Sequence, residues 1–89
     1  SPVTKMNDYY NNNGNLLSFT VVDLAKYIKY LAVDLRPIIF KMAIFGLINY
    51  EPETDIVTIK PRLFDYIKNL KHERDYDIIT VHQCNYEFG

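Results

Sequence analysis

The sequence predicts a small α+β domain of three helices, a β-hairpin and one or two further short strands. Three observations lead there. In the stretch Asp34–Gly46, DLRPIIFKMAIFG, the residues Leu35, Ile38, Ile39, Met42 and Phe45 recur at helical spacing and form one apolar stripe. The strings LINYE (47–51) and IVTIK (56–60) are rich in β-branched residues and flank the turn-forming Pro52-Glu53-Thr54-Asp55. Hydrophobic content is 48% with eight Tyr and five Phe in 89 residues, enough for one core and too much for a disordered chain.

The central helix organises the rest. Phe40, Ala43 and Ile44 add a second apolar face to it, leaving Arg36 and Lys41 as its interior charges. A helix apolar nearly all round is either central to a core or sealed by a partner. Asp34 reads as its cap, Pro37 as a first-turn residue and Gly46 as the left-handed residue that ends it. Ahead of it, Thr20 has the marks of an N-cap. Asp23 takes the acid position of a capping box, and Phe19 and Leu24 sit at the two positions of a hydrophobic staple. The helix so capped is predicted over Val21–Ala32, with Val21, Leu24, Ile28 and Leu31 facing inward. A brief strand is expected at Leu16–Phe19. Residues 1–15, with Asn11–Asn13, Gly14 and Asn15, read as a flexible polar leader on which Tyr9 and Tyr10 could dock.

Pro61 suits the first position of a third helix over Pro61–Lys71, with Leu63, Phe64, Ile67 and Leu70 as its apolar stripe. KHERDYD (71–77) reads as a charged connection, Ile78–His82 as a last strand, and 85–89 as a frayed tail. The domain is therefore expected to span 16–84.

Composition narrows the function classes. Net charge is −1, split +2 over residues 1–45 and −3 over 46–89, so no global field gathers nucleic acid or anionic lipid. The one cysteine, Cys84, excludes an internal disulfide framework. No apolar run reaches the ~18 residues of a membrane span, and no secretory leader pattern is present. The Ser-Pro start without an initiator methionine reads as a segment of a larger protein.

The order short strand, helix, tight turn, helix, Gly, hairpin resembles the winged helix-turn-helix superfamily. Leu24-Ala25-Lys26 in the first helix and Phe45-Gly46-Leu47-Ile48 leading into the wing carry that resemblance, over residues 16–60. It implies that the second helix of the pair faces the DNA major groove and that the hairpin is the wing. The usual helix ahead of the first strand is expected to be missing, with Pro61–Lys71 a candidate to fill its place. The chemistry departs from the family pattern. The outward side of the second helix offers Arg36, Phe40, Lys41 and Ile44, and the wing bears Glu51, Glu53 and Asp55, whose charge repels phosphate. Further on, Ile56–Pro61, Leu63-Phe64-Asp65-Tyr66 and Asp75-Tyr76-Asp77-Ile78 resemble a segment of very large bacterial proteins. That resemblance implies one module of a longer chain and no activity.

No catalytic, cofactor or metal site is expected. His82 and Cys84 share a strand face, but zinc wants four ligands or three and water, and His72 is the only other candidate of that kind. Cys84 as a nucleophile lacks any sign of a pocket or oxyanion hole around Glu87 and His82. His72, Glu73, Asp75 and Asp77 lack a glycine-punctuated calcium loop and read as a solvated linker. Two binding readings remain. Phe40 and Ile44, with Tyr27 and Tyr30, are the candidate protein contact: core if the domain covers them, a contact patch if it does not. The partner would be a neighbouring domain of the parent chain or a second copy. Lys26, Lys29, Arg36 and Lys41 are the candidate nucleic-acid contact, a modest basic strip offset by Asp23 and Asp34.

Overall fold

The computed structural model describes residues 1–71. The expected connection 71–77, the strand Ile78–His82, the tail 85–89 and the residues His72, Glu73, Asp75, Asp77, His82, Cys84 and Glu87 fall outside the described residues, Lys71 apart. The chain is an α+β domain with a winged-helix-like layout: α1 (Pro2–Asn12), β1 (Ser18–Thr20), α2 (Val21–Ile28), α3 (Ala32–Ile44), β2 (Ile48–Glu51), β3 (Ile56–Ile59) and α4 (Pro61–Lys71). The sheet is antiparallel in the order β1-β3-β2.

The hairpin follows from its alternation. Ile48 pairs with Ile59 and Tyr50 with Val57, so these four side chains share the inward face. Asp55 closes the turn in the left-handed region at φ 61°. On the other side of β3, Ser18 faces Thr58 and their hydroxyls lie 3.0 Å apart. Leu16 and Leu17 precede the strand and are exposed, so β1 starts two residues later than the apolar run suggests.

The residues 1–15 are corrected from leader to structure. Pro2 opens α1 at its first turn, where a missing N–H costs no bond. Val3 and Met6 are wholly buried, and Tyr9 and Tyr10 continue their stripe against the core. The ring of Tyr9 meets Phe19 and Tyr27 edge-on, each at 5.0 Å, and Tyr10 meets Phe64 at 5.0 Å. The asparagine run is the helix end. The Asn13 amide donates to the Tyr9 carbonyl, the Asn12 amide donates to the Tyr27 hydroxyl, and Gly14 and Asn15 turn the chain at φ 69° and 61°. The helix missing from the sequence-level layout is therefore present, and α4 packs beside it rather than replacing it.

Two helix boundaries also move. The α2 helix starts as expected, with the Asp23 amide donating to the Thr20 hydroxyl. It ends at Ile28 because Lys29 turns left-handed at φ 60°. Leu31, expected inward, is exposed in the connection. The α3 helix then begins at Ala32, not at an Asp34 cap, so Pro37 lies in the second turn. Its missing N–H there removes the donor for the Val33 carbonyl, on the exposed side of the helix. The far end matches the chemistry of Gly46. At φ 77°, it lets the Leu47 amide reach the Met42 carbonyl and its own amide reach Ala43, a Schellman closure with Leu47 and Met42 both buried.

The core lies where α3 crosses the sheet and the other helices. Leu35, Ile39 and Met42 supply its centre, joined by Leu24, Leu47, Ile48 and Leu63. Ile38 and Phe45 are only partly buried at its margin. Tyr66, not part of the expected α4 stripe, is buried beside Leu63.

Candidate contact surface on α3

One line of exposed side chains along α3 is apolar, with Asp34 and Lys41 exposed beside it. Val33 is 69% exposed, Phe40 48% and Ile44 82%, and Pro37 is exposed between them. Steps of four, three and four residues place these side chains on one line down a 3.6-residue helix. Phe40 leans edge-on against Tyr50 of β2 at 5.1 Å, which fixes its ring without covering it. Phe40 and Ile44 thus belong to the surface among the described residues. Val33 and Pro37 join them, although sequence reading assigned them to a turn and to a helix start. Their signal was the i, i+4, i+7 spacing with Phe40 and Ile44, hidden by the misplaced helix boundary.

The two tyrosines expected to share this contact do not form one patch with it. Tyr27 is half-exposed but engaged by Tyr9 and Asn12 of α1. Tyr30 belongs to the α2–α3 connection, where it lines an open depression with Lys29, Leu31, Asp34 and Ile38.

The basic residues are arranged differently from a groove reader. Arg36, part-exposed, is engaged within the chain. Its Nε and Nη2 donate to the two carboxylate oxygens of Asp55 at 3.1 and 3.0 Å, a bidentate pair that ties α3 to the tip of the hairpin. The Tyr50 hydroxyl donates to the same carboxylate. Bonding to Arg36 holds the Asp55 carboxyl below its ordinary range against the opposing effect of burial, and bonding to Asp55 holds the Tyr50 phenol above its own. The Asp55 carbonyl also accepts the Val21 amide at the start of α2. One turn residue therefore joins α2, α3 and β2. Lys26, Lys29 and Lys41 are exposed, while the hairpin presents exposed Glu51 and Glu53.

No group of three or more metal-binding side chains occurs among the described residues, and no described helix is long and apolar enough to cross a membrane. The fold is a small α+β domain in which, among the described residues, α3 presents Val33, Pro37, Phe40 and Ile44 as an exposed apolar line. Compared with known proteins, the chain matches no family model, no curated protein and no solved structure.

Proposed function

We propose that this domain is a non-catalytic interaction module, one unit of a larger protein, whose contact surface is the outer face of α3. The observation that supports this reading is the line Val33, Pro37, Phe40, Ile44. A soluble domain of this size scatters exposed apolar residues, whereas four in helical register on the helix that spans the core form a contiguous patch of the kind partners bury. Phe40, held by Tyr50, and Ile44 are the anchors, because a large apolar side chain with a fixed rotamer gains burial at low entropic cost.

The alternative reading, a DNA-binding winged helix, has weaker support. It needs cations on the outer side of α3, but Arg36 is neutralised by Asp55, and Glu51 and Glu53 lie on the wing. The two readings separate experimentally. A photocrosslinking amino acid at Ile44 should capture a polypeptide in cells expressing the parent chain, whereas the same group at exposed Lys68 should not. The purified domain should show no salt-dependent association with a labelled duplex. Failure to crosslink at Ile44, together with duplex binding that weakens steeply with salt, would overturn the proposal in favour of DNA.

A further inference from the structure

We infer that the C-terminal end of α1 is a site of spontaneous covalent modification, at which Asn13 loses its side-chain amide to give aspartate and isoaspartate. The inference does not depend on the reading of the α3 face.

Asn13-Gly14 is the one Asn-Gly pair in the sequence. The reaction is intramolecular. The backbone nitrogen of Gly14 attacks Cγ of Asn13 as it gives up its proton, and the side-chain amide leaves as ammonia, carrying that proton. Water then opens the cyclic imide so formed. Breaking the bond from nitrogen to Cγ leaves aspartate at position 13. Breaking the bond from nitrogen to the main-chain carbonyl carbon leaves isoaspartate, with the chain routed through Cγ. An amide is a poor electrophile, so the step proceeds only where the two atoms are free to meet and nothing shields the nitrogen.

Those conditions hold here. Asn13 follows the last residue of α1, and its ψ of 37° lies far from the helical value of about −42°. The torsion that carries the Gly14 nitrogen toward Cγ is therefore not locked by helical bonds on both sides. Gly14 brings no side chain, and the space where one would stand is empty to 4 Å. Among the described residues its amide donates to no backbone carbonyl, unlike the amides of Asn13 and Leu16. Asn13 and Gly14 are both exposed, so water reaches the imide. One contact opposes the reaction: Nδ2 of Asn13 donates to the Tyr9 carbonyl at 2.8 Å. It is a single bond at a helix end, where fraying opens it. The other asparagines of the described chain are held more firmly or shielded. Asn7, Asn11 and Asn12 lie within α1, Asn49 in β2 and Asn69 in α4, while Asn15 precedes Leu16, whose side chain crowds the nitrogen.

The products undo the cap. The Tyr9 carbonyl accepts both Nδ2 and the backbone amide of Asn13. A carboxylate has no proton to donate there, and it sets a negative charge at the negative end of the helix. Isoaspartate adds a methylene to the main chain between the Tyr10 carbonyl and the Leu16 amide, which bond at 3.1 Å across this turn. Either change loosens the helix end that carries Tyr9, whose ring packs on Phe19 and Tyr27.

The purified chain, held for weeks in mildly alkaline buffer and sampled by anion exchange and peptide mass mapping, tests the inference. The expected result is a species whose net charge has moved from −1 to −2, with the amide-to-acid mass gain at residue 13 before any other asparagine. Gly14→Ala and Asn13→Gln, each checked for native circular dichroism, should both lose that species. The separated product should melt roughly 2–8 °C below the starting chain. Conversion of another asparagine ahead of Asn13, conversion only when urea unfolds the chain, or a product that melts with the starting material would each overturn the inference.

Discussion

Met6 is the test of whether the N-terminal segment belongs to the folded domain. Its side chain is wholly buried between α1 and the core, although the surrounding sequence is polar and rich in asparagine. Met6→Ala removes three non-hydrogen atoms beyond Cβ. At about 0.8 kcal/mol per buried methylene-sized group the transfer loss is about 2.4 kcal/mol, and the cavity left behind raises the expected total to about 2–5 kcal/mol. Chains of this length fold with about 5–10 kcal/mol in all, so the substitution removes a large share of stability. The melting temperature should fall by roughly 10–25 °C. Urea unfolding followed by circular dichroism and tyrosine fluorescence gives the measurement, the sequence having no tryptophan to dominate the signal. Lys5→Ala, one residue away and exposed, is the control and should stay within about 0.5 kcal/mol. If Met6→Ala matches that control, α1 is not docked and the four-helix architecture is wrong.

Three further outcomes are expected. Asp55→Asn should lower the melting temperature at pH 6. Because the Asp55 carboxyl lies below its ordinary range when folded, its contribution is full above about pH 4 and fades as pH drops through the depressed folded value, so wild type and variant should converge in acid. A gap that stays constant down to pH 2 would refute the Arg36 pairing. Gly46→Ala should cost about 1–2 kcal/mol, since φ 77° disfavours a Cβ while the nearest atom, in the Arg62 side chain at 3.6 Å, leaves room for one; thermal melts should show the loss. Lys29→Gly should act in the opposite sense, raising stability by about 0.5–1 kcal/mol by relieving the left-handed lysine at φ 60°, and a lowered melting temperature would contradict that assignment.

Short-range chemistry made much of the chain readable before any coordinates. Thr20 caps α2 through an amide three residues on, Gly46 closes α3 through its own positive φ, and the alternation over residues 47–60 sets the hairpin register. Each depends on groups within a few residues of one another, so neighbouring side chains suffice to decide it. The α2–α3 boundary differs from the sequence reading because Leu31 was counted as inward on α2 and Val33 as a turn residue, whereas the turn at Lys29 ends α2 early, leaves Leu31 exposed and places Val33 in the first turn of α3. The α1 helix was missed for a related reason. Asparagine content argued for disorder, while the few residues that dock the helix, Val3, Met6, Tyr9 and Tyr10, gain their energy only from partners such as Phe19 and Phe64.

The sequence by itself determined the α+β class, the position of the central helix, its C-terminal stop and the hairpin, because backbone hydrogen bonds and side-chain alternation act locally. Tertiary structure alone decided whether the second apolar face of α3 is covered. Spacing already set Leu35, Ile39 and Met42 on the main stripe and Phe40 and Ile44 on the outward side, but an apolar outward side suits either a buried or an exposed position. Leu35, Ile39 and Met42 are buried, and Val33, Pro37, Phe40 and Ile44 stay exposed among the described residues. The pairing of the part-exposed Arg36 was settled in the same way, by Asp55 at a hairpin tip 19 residues distant that folding brings to 3.0 Å.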